Sequence, residues 1–352
     1  MGRSLSPARF AVEQDKKLRA FIRENHNVQT LFKKMQSAAF HAEAPRVDLF
    51  VAGFPCQPFS GAGQGLGVTD LRGKVIHHIV NYLKARSPTS FLLENVSGLV
   101  HRHPSTFEHI LALLIGITDK RGQPMYTVKW KLLNSNVVGY VPQSRNRVYI
   151  VGVLKKAQTE PFKWPSPVTP PGLAELLDPV PATPLAQPKS SLARSKLNAA
   201  YAQARSAGVN PSSQCIAVNC DARTCSWKVD STPCLTADRG ASHGFWISDR
   251  GGRMTVAELC RLQGMEPITN PAGLTDRQIG HAVGNAFTQT VLARVLAQLL
   301  YSAGLTDHVV DPWLTLGRQP EAAACRRTAK RSRAQEKRSG SLPVFASLPI
   351  RR

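Results

Sequence analysis

Apolar residues alternate between two spacings over the first 155 residues of the chain. The runs ARFAVE, VDLFVAGF, SFLLENV, YTVKWKLLN and RVYIVGV have the short, β-branched and aromatic character of strands. Between them, QDKKLRAFIREN, the segment that begins at Val75 and FEHILALLIGI repeat apolar residues at helical spacing. This alternation predicts an α/β fold in which a mostly parallel sheet carries helices on both faces and ligands bind where strands end.

The pattern changes near Lys155. The chain is then proline-rich, and as far as about residue 251 it shows no clean period, which predicts an inserted, irregular region. Periodicity returns at TVAELCRLQGM, and TQTVLARVLAQLLYSAG predicts a closing amphipathic helix that ends at Gly304. We therefore divide the chain into a sheet-and-helix domain (1–154), an inserted region (155–272), a segment that completes the first domain (273–305) and a basic tail predicted to be disordered (306–352).

The chain is strongly basic. Its 352 residues include 45 Lys and Arg against 23 Asp and Glu, a formal net charge of +22. This excess favours a polyanionic partner, with nucleic acid ahead of an anionic membrane surface. No apolar stretch approaches the roughly 20 residues that cross a bilayer, and the N-terminus lacks the apolar core of a signal peptide. We expect an intracellular protein with no membrane segment.

The seven cysteines are odd in number, and four of them fall between residues 215 and 234. These four are Cys215, Cys220, Cys225 and Cys234. Their spacing lacks the CxxC pairs of common zinc sites, which favours reduced structural thiols and no metal.

One further cysteine has different surroundings. The stretch FVAGFPCQPFSGAGQGLG (50–67) begins as a strand, then places Cys56 between two prolines and ends in glycines. Prolines and glycines on both sides predict an exposed loop rather than a core. Glycines at alternate positions give that loop the mobility of a lid.

Four other segments accompany this stretch: FLLENV, PQSRNR, AELCRLQGM and IGHAVGNAF. In order and approximate spacing, the five together resemble the cytosine-5 DNA methyltransferases, over roughly residues 10–305. The resemblance implies a Rossmann-like methyltransferase sheet, S-adenosylmethionine as methyl donor and double-stranded DNA as partner. It makes residues 1–154 and 273–305 the catalytic domain and residues 155–272 a smaller target-recognition region.

The resemblance implies a role for each catalytic residue. Cys56 would add to carbon 6 of cytosine, which makes carbon 5 a nucleophile. Glu94 would meet ring nitrogen 3 and the exocyclic amine, and it needs a raised pKa to donate a proton. Arg147 would hold the cytosine carbonyl oxygen, and Arg145 would support the active-site loop. Both arginines alternate with Gln143, so the three side chains are predicted to share one face.

The resemblance also assigns contacts to DNA and to the cofactor. The DNA-binding positions are Gln57, Ser60 and Gln143. Glu13 would bind the ribose hydroxyls of S-adenosylmethionine, and Gln14 would lie near the adenine. The other cofactor-lining positions are Pro55, Val75, Asn285 and Ala286.

The beginning of the chain departs from the family pattern. Members begin with a strand and a glycine-rich turn of the DLFxGxGG kind, but only 12 residues precede Glu13 and Gly2 is the one glycine among them. The acidic residue expected near LFKKM is also absent, and Lys34 is the nearest match. Either the start site lies too late in the gene or cofactor binding has been lost. Retention of the catalytic residues in type favours the first explanation. In both cases we expect the 352-residue chain to bind S-adenosylmethionine poorly.

Two other functions stay open. An RNA cytosine methyltransferase of the tRNA-aspartate type would share the catalytic segments, although the long insertion and the basic tail favour DNA. The absent first motif also leaves room for a non-catalytic nucleic-acid-binding homologue. The tail RRTAKRSRAQEKR fits either a non-specific DNA clamp or a nuclear import signal. We expect a nuclear protein if the source is eukaryotic, and a cytoplasmic or nucleoid protein otherwise.

Overall fold

The computed structural model describes residues 8–54, 75–179, 186–221 and 226–316. The strands are β1 (Ala8–Val12), β2 (Val28–Phe32), β3 (Leu49–Gly53), β4 (Ser90–Val96), β5 (Tyr126–Asn134), β6 (Asn146–Leu154), β7 (Ile216–Asn219), β8 (Ser226–Val229), β9 (Trp246–Ile247) and β10 (Gly252–Arg253). The helices of the first half are α1 (Lys16–Asn25), α2 (Ala38–Glu43), α3 (Val75–Arg86), α4 (Gly98–Arg102), α5 (Pro104–Ile115) and α6 (Ser135–Val138). The later helices are α7 (Leu173–Leu176), α8 (Ser191–Ser206), α9 (Ala237–Ala241), α10 (Val256–Leu262), α11 (Asp276–Asn285), α12 (Gln289–Ser302) and α13 (Pro312–Leu316).

The strands and helices predicted for the first 155 residues are confirmed, and β5 matches the predicted run at both ends. The sequence pattern did not predict β2, whose two central residues are exposed and polar. Such a short strand has neither a continuous apolar run nor a clear alternation.

The main sheet has four strands in the order β3-β4-β6-β5, and β1 pairs with β2 in a separate parallel sheet. β3 and β4 are parallel, but β4–β6 and β5–β6 are antiparallel. The expectation of a mostly parallel sheet is therefore wrong for this part. Only the short α6 and a turn separate β5 from β6, and a parallel pair would need a longer crossover.

Helices cover both faces of the main sheet, as predicted. Side chains of β4 alternate between two cores, since Phe91 and Leu93 pack with α3 and α5 whereas Leu92 packs with α12. This burial on both sides explains why the strand is a continuous apolar run. It also places Glu94, two residues beyond Leu92, on the α12 face near the end of the strand.

The inserted region is more regular than the sequence predicted. It contains the 16-residue helix α8 and an antiparallel sheet in the order β10-β9-β7-β8. The strands are only two to four residues long, and three of the five buried residues of α8 are alanines. Both features weaken the hydrophobic signal on which a sequence prediction depends.

Two helices join the inserted region to the closing segment of the chain. A Cβ on Gly240 of α9 would overlap the carbonyl oxygen of Gly280 of α11, and a Cβ on Gly284 would overlap the carbonyl oxygen of Thr236. The two backbones can approach this closely only because these positions are glycines. The inserted region is thus packed directly on the segment that precedes α12.

The packed body of the protein continues to Leu316. Trp313 of α13 is buried, and Asp311 forms a buried ion pair with Arg294 of α12, with 2.9 Å between Oδ2 and Nε. Residues 306–316 therefore do not belong to the predicted disordered tail. The rest of that tail, from residue 317, lies outside the described residues.

Candidate active site

Glu94 lies near the carboxyl end of β4, the strand between β3 and β6. In the sheet register it is opposite Gly53 on one side and Tyr149 on the other. A Cβ on Gly53 would lie 3.7 Å from Glu94 Oε2 and 3.3 Å from Phe287 Cζ. Gly53 is thus the point where β3 meets both the Glu94 carboxylate and the Phe287 ring, and a side chain there would be tight against the ring.

Glu94 forms an ion pair with Arg147. Glu94 Oε1 is 3.1 Å from Arg147 Nε, and the two side chains are only 13% and 12% exposed. Burial raises the pKa of Glu94, and the positive charges of Arg147 and Arg145 only partly oppose that effect. The environment therefore favours a proton on this carboxyl more than water does.

The ion pair leaves one carboxylate oxygen without a hydrogen bond. Glu94 Oε1 is enclosed, and no donor of the described residues meets hydrogen-bonding geometry with it, although Arg147 Nε is close. This oxygen is held by the charge of Arg147, and a donor from a bound molecule would complete its hydrogen bonding.

Cys234 brings the inserted region into the same site. Its Sγ atom is 3.8 Å from Arg147 Nη1 and 3.9 Å from Arg145 Nη1. The sequence interpretation considered Cys234 only as one of four clustered cysteines. The structure places it beside Glu94 and the two arginines, where it contributes to one side of the site.

Arg145 is buried and binds main-chain carbonyl groups. It donates hydrogen bonds to the carbonyl oxygens of Leu235, Gly284 and Ala286, the last at 2.7 Å. Gly284 and Ala286 lie at the C-terminal end of α11, where carbonyls lack partners within the helix. Arg145 thus connects the inserted region, the end of α11 and β6.

Gln143 lies in the interior, with no exposed surface. Its Nε2 donates to Leu262 O at 2.9 Å and to Gln263 Oε1 at 3.2 Å, while its Oε1 accepts from Leu235 N at 2.9 Å. Only residues from Asn146 onward are in β6, so Gln143 and Arg145 precede the strand that carries Arg147. Gln143 thus links the segment before β6 to α10 and to the segment before α9. Its predicted contact with DNA stays a prediction.

Gln263 completes this buried network. Its Nε2 donates to Val283 O at 2.8 Å, and its Oε1 accepts from Thr288 Oγ1 at 2.9 Å. The residue is part of the AELCRLQGM segment, which the sequence analysis used for the resemblance without assigning it a role. Its position in that segment was the one sequence feature that could have indicated a role for Gln263 in the site.

Several predicted site residues lie outside the described residues, namely Cys56, Gln57, Ser60 and Pro55. In the sequence, Cys56 follows Gly53 by three residues, and Gly53 is beside Glu94. The roles predicted for these four residues therefore stay predictions.

The predicted cofactor residues occupy different elements. Glu13 directly follows β1, where its partly buried carboxylate accepts a hydrogen bond from Asp15 N at 2.8 Å through Oε1, and Gln14 is exposed. Val75 begins α3, Asn285 is the exposed last residue of α11, and Ala286 follows it. A carboxylate at a strand end fits the hydroxyl groups of a ribose, because each hydroxyl can donate to it.

The described ranges contain no metal-binding cluster and no membrane-spanning helix. Within them, no group of three or more His, Cys, Asp and Glu side chains is placed to hold a metal ion. No helix in the same ranges is long and apolar enough to cross a membrane.

Comparison with known proteins defines the class. Residues 6–300 match the model of the family described as C-5 cytosine-specific DNA methylase. The type II methyltransferase M.HaeII of Haemophilus aegyptius is 31% identical over 275 residues, which cover 76% of this chain and 79% of the relative. The type II methyltransferase M.NgoBI of Neisseria gonorrhoeae is 33% identical over 269 residues, which cover 74% of this chain and 77% of that one.

Solved structures show the same fold. The Entamoeba histolytica methyltransferase EhMeth aligns with a TM-score of 0.55 at 17% identity, over 83% of this chain and 89% of that chain. A DNA modification methyltransferase described as putative, encoded within an E. coli prophage, aligns with a TM-score of 0.56 over 84% and 92%, also at 17% identity.

The chain is therefore a methyltransferase with a Rossmann-like catalytic sheet. It belongs to the C-5 cytosine-specific DNA methylase family.

Proposed function

We propose that this chain transfers a methyl group from S-adenosylmethionine to carbon 5 of a cytosine that has been rotated out of duplex DNA. The observation that carries the proposal is the buried Glu94–Arg147 ion pair at the end of β4, in which Glu94 Oε1 has no well-formed hydrogen bond from the described residues. Ring nitrogen 3 of cytosine would accept a hydrogen bond from the protonated carboxyl group, and the exocyclic amine would donate one to its other oxygen. Rotating the base out of the helix costs a few kcal/mol, which contacts with the basic protein would offset.

The chemistry begins at Cys56. Its thiolate forms a bond to carbon 6, and the electron pair of the 5,6 double bond becomes available at carbon 5 while Glu94 protonates nitrogen 3. Carbon 5 would take up the methyl group, and the electron pair of the broken sulfur–methyl bond would stay with the sulfur of the donor. Removal of the carbon 5 proton by a base then restores the double bond as the carbon–sulfur bond breaks to regenerate the thiolate, and nitrogen 3 returns its proton to Glu94. Arg147 would bind the cytosine carbonyl oxygen, since its guanidinium lies next to Glu94.

The methyl donor would bind at the strand ends beside this pocket. The Glu13 carboxylate would hold the ribose hydroxyls, with Gln14, Val75, Asn285 and Ala286 lining the rest. When bound, S-adenosylmethionine supplies an electrophilic methyl group. Calorimetric titration of the 352-residue chain with S-adenosylmethionine tests the expectation of weak binding, and micromolar affinity would contradict it.

Covalent trapping tests the reaction. In a 5-fluorocytosine duplex, fluorine replaces the proton that must leave carbon 5, so a methylated adduct cannot be resolved. We expect a protein–DNA complex that survives denaturing electrophoresis, requires S-adenosylmethionine and disappears in Cys56→Ser. Trapping on tRNA but not on duplex DNA would identify an RNA methyltransferase instead. Binding of duplex DNA without trapping would indicate a non-catalytic homologue.

A further inference from the structure

We propose that Asp221 and Arg253 recognise a guanine–cytosine base pair within a few base steps of the methylated cytosine. The proposal rests on the proposed function, because it presumes a DNA substrate. Arg253 Nη1 and Nη2 donate to Asp221 Oδ2 and Oδ1 at 2.9 and 2.7 Å, which is a two-pronged pair. Arg239 Nη1 donates to Asp221 Oδ2 at 2.5 Å. Two guanidinium groups thus share one carboxylate in the target-recognition region.

The pair lies at a cleft that is open to solvent. The cleft has a volume of about 410 Å³, and its lining includes Lys189, Ser190, Trp246 and both members of the pair. Asp221 and Arg253 keep 32% and 25% of their side-chain surface exposed. They are therefore accessible to a ligand, unlike the enclosed Arg250–Glu258 pair, whose side chains are 8% and 0% exposed.

The charge around the cleft favours DNA. Among the described residues, Lys189 and Arg253 of the lining, with Arg239 behind Asp221, carry three positive charges against the one negative charge of Asp221. Ser190 is also the N-cap of α8, a helix with no acidic residue in its first turn, so the positive end of the helix dipole is directed toward this cleft. Arg239 is only 8% exposed, yet its Nε has no hydrogen-bond partner among the described residues. An electron-rich ligand in the cleft would meet Lys189, Arg253 and the N-terminal end of α8.

The hydrogen-bonding capacity of the pair matches one base pair. Arginine has five N–H donors, of which Arg253 uses two on Asp221, and a carboxylate offers about four acceptor positions, of which three are occupied within the described part of the chain. Three N–H donors of Arg253 therefore remain, enough for two acceptors, beside one acceptor position of Asp221. In the major groove, guanine presents the N7 and O6 acceptors and its paired cytosine presents the N4 amino donor, in that order.

Arg239 connects the pair to the active site. Cys234 touches the catalytic arginines, and α9, which carries Arg239, begins three residues later. Two extended residues and one helical turn separate the Cα atoms of Cys234 and Arg239 by at most about 11 Å. Arg239, which donates to Asp221, is thus within about three base steps of roughly 3.4 Å from Cys234. The close packing of Gly240 on Gly280 holds α9 in this position.

A binding selection on the full chain tests this inference. Duplexes with a central cytosine and randomised flanking positions are incubated with the protein, and the retained DNA is sequenced. We expect the wild type to prefer a guanine–cytosine pair at one flanking position. Arg253→Lys keeps the charge but removes the planar fork, so it should lose that preference by about 10- to 100-fold and keep the others.

Two further variants separate base recognition from other roles. Asp221→Asn has nearly the same size and should weaken the preference at the same position, so it replaces Arg253→Lys if thermal unfolding shows that variant to be unfolded. Arg205→Ala removes one positive charge from an exposed position near the other end of α8 and should change no preference.

Three results would overturn the inference. The first is a wild type with no base preference, and the second is a preference that stays unchanged in Arg253→Lys and Asp221→Asn. The third is a variant that loses affinity equally for all sequences and depends less on salt, because that behaviour indicates a phosphate contact. The selection needs no methyl transfer. Failure of the 5-fluorocytosine trapping would therefore reject the proposed reaction, but the base preference measured by the selection would still test the inference.

Discussion

Glu94 and Arg147 form a buried ion pair, 3.1 Å between Oε1 and Nε, in which the carboxylate oxygen has no well-formed hydrogen bond within the described part of the chain. A pair that served stability alone would align its donor with its acceptor. This arrangement leaves a carboxyl group with a raised pKa close to a fixed positive charge. It suits a group that exchanges a proton with a bound base.

Replacing Glu94 with glutamine should stop methyl transfer while the protein stays folded. Glutamine preserves the shape but cannot donate a carboxylic proton, so kcat should fall by about 100- to 10,000-fold. Incorporation of labelled methyl groups into duplex DNA measures this. Glu108→Gln, which changes an exposed carboxylate on α5, serves as the control and should retain full activity. Equal activities of the two variants would contradict the role of Glu94.

The same carboxyl group should make stability depend on pH. Burial raises the pKa of Glu94 above its ordinary value of 4.5, so the native state binds more protons than the unfolded state as pH rises past that value. The free energy of unfolding of the wild type should therefore fall relative to that of Glu94→Gln as pH rises from about 4.5 toward the folded pKa, then level off. Urea denaturation of both proteins at a series of pH values measures the difference. A difference that increases with pH would be inconsistent with a raised pKa.

Changing Arg145 to alanine should mainly lower stability, whereas changing Arg147 to alanine should mainly lower activity. Arg145→Ala leaves three carbonyl oxygens without their donor, so it should lower the free energy of unfolding by at least about 3 kcal/mol. Arg147→Ala removes the charge beside Glu94, which can then take up a proton, so its stability loss should be smaller and its activity loss larger. Urea denaturation and methyl transfer rates of both variants test this contrast. A larger stability loss in Arg147→Ala would refute it.

Gly240→Ala should separate the inserted region from α11. Its Cβ would meet the backbone of Gly280, which cannot move aside as a side chain does, so we expect a loss of about 3 kcal/mol or more in unfolding free energy. Gly252→Ala is a matched control, because its Cβ would have no atom within 4 Å among the described residues, and it should change stability by less than about 0.5 kcal/mol. Thermal unfolding of the two variants gives the comparison, and similar midpoints would argue against a tight α9–α11 contact.

The histidine pair His41–His78 should weaken the protein in mild acid. His41 Nε2 is 2.9 Å from His78 Nδ1. Burial, followed by the neighbouring His41 and His77, lowers the pKa of His78 below its ordinary value of 6.5. The native state thus binds fewer protons than the unfolded state, and stability is lost as pH falls below that value. Between about pH 7 and about pH 5, His78→Asn should lose less unfolding free energy than the wild type. An equal loss in both proteins would rule out His78 as the source.

The sequence was most informative about the strands that are buried on both faces. The run FLLENV is continuous and apolar because Phe91 and Leu92 enter different cores. Its last apolar positions also locate Glu94 near a strand end, where ligands bind in α/β folds. The direction of β5 and β6 was not predictable in this way, because parallel and antiparallel strands share the same apolar pattern.

The sequence was least informative about contacts between distant segments. Arg147 and Cys234 are 87 residues apart, and Gln143 and Gln263 are 120 apart. Neither pair has a periodic or local signal. Phe287 likewise lies against Gly53, 234 residues away in the sequence, so that a Cβ there would be 3.3 Å from its ring. Such neighbours depend on how the inserted region docks, which local patterns do not describe.

The bonds of Arg145 have a consequence for how this enzyme could be redesigned. Its three oxygen acceptors belong to the main chain, and Gln143 likewise binds the backbone of Leu235 and Leu262. Every amino acid presents the same carbonyl group, so these contacts between the catalytic domain and the inserted region do not depend on most side chains of that region. A recognition module of different sequence could be exchanged into this chain as a cassette, provided that its backbone follows the same path past Arg145 and keeps the glycine of α9.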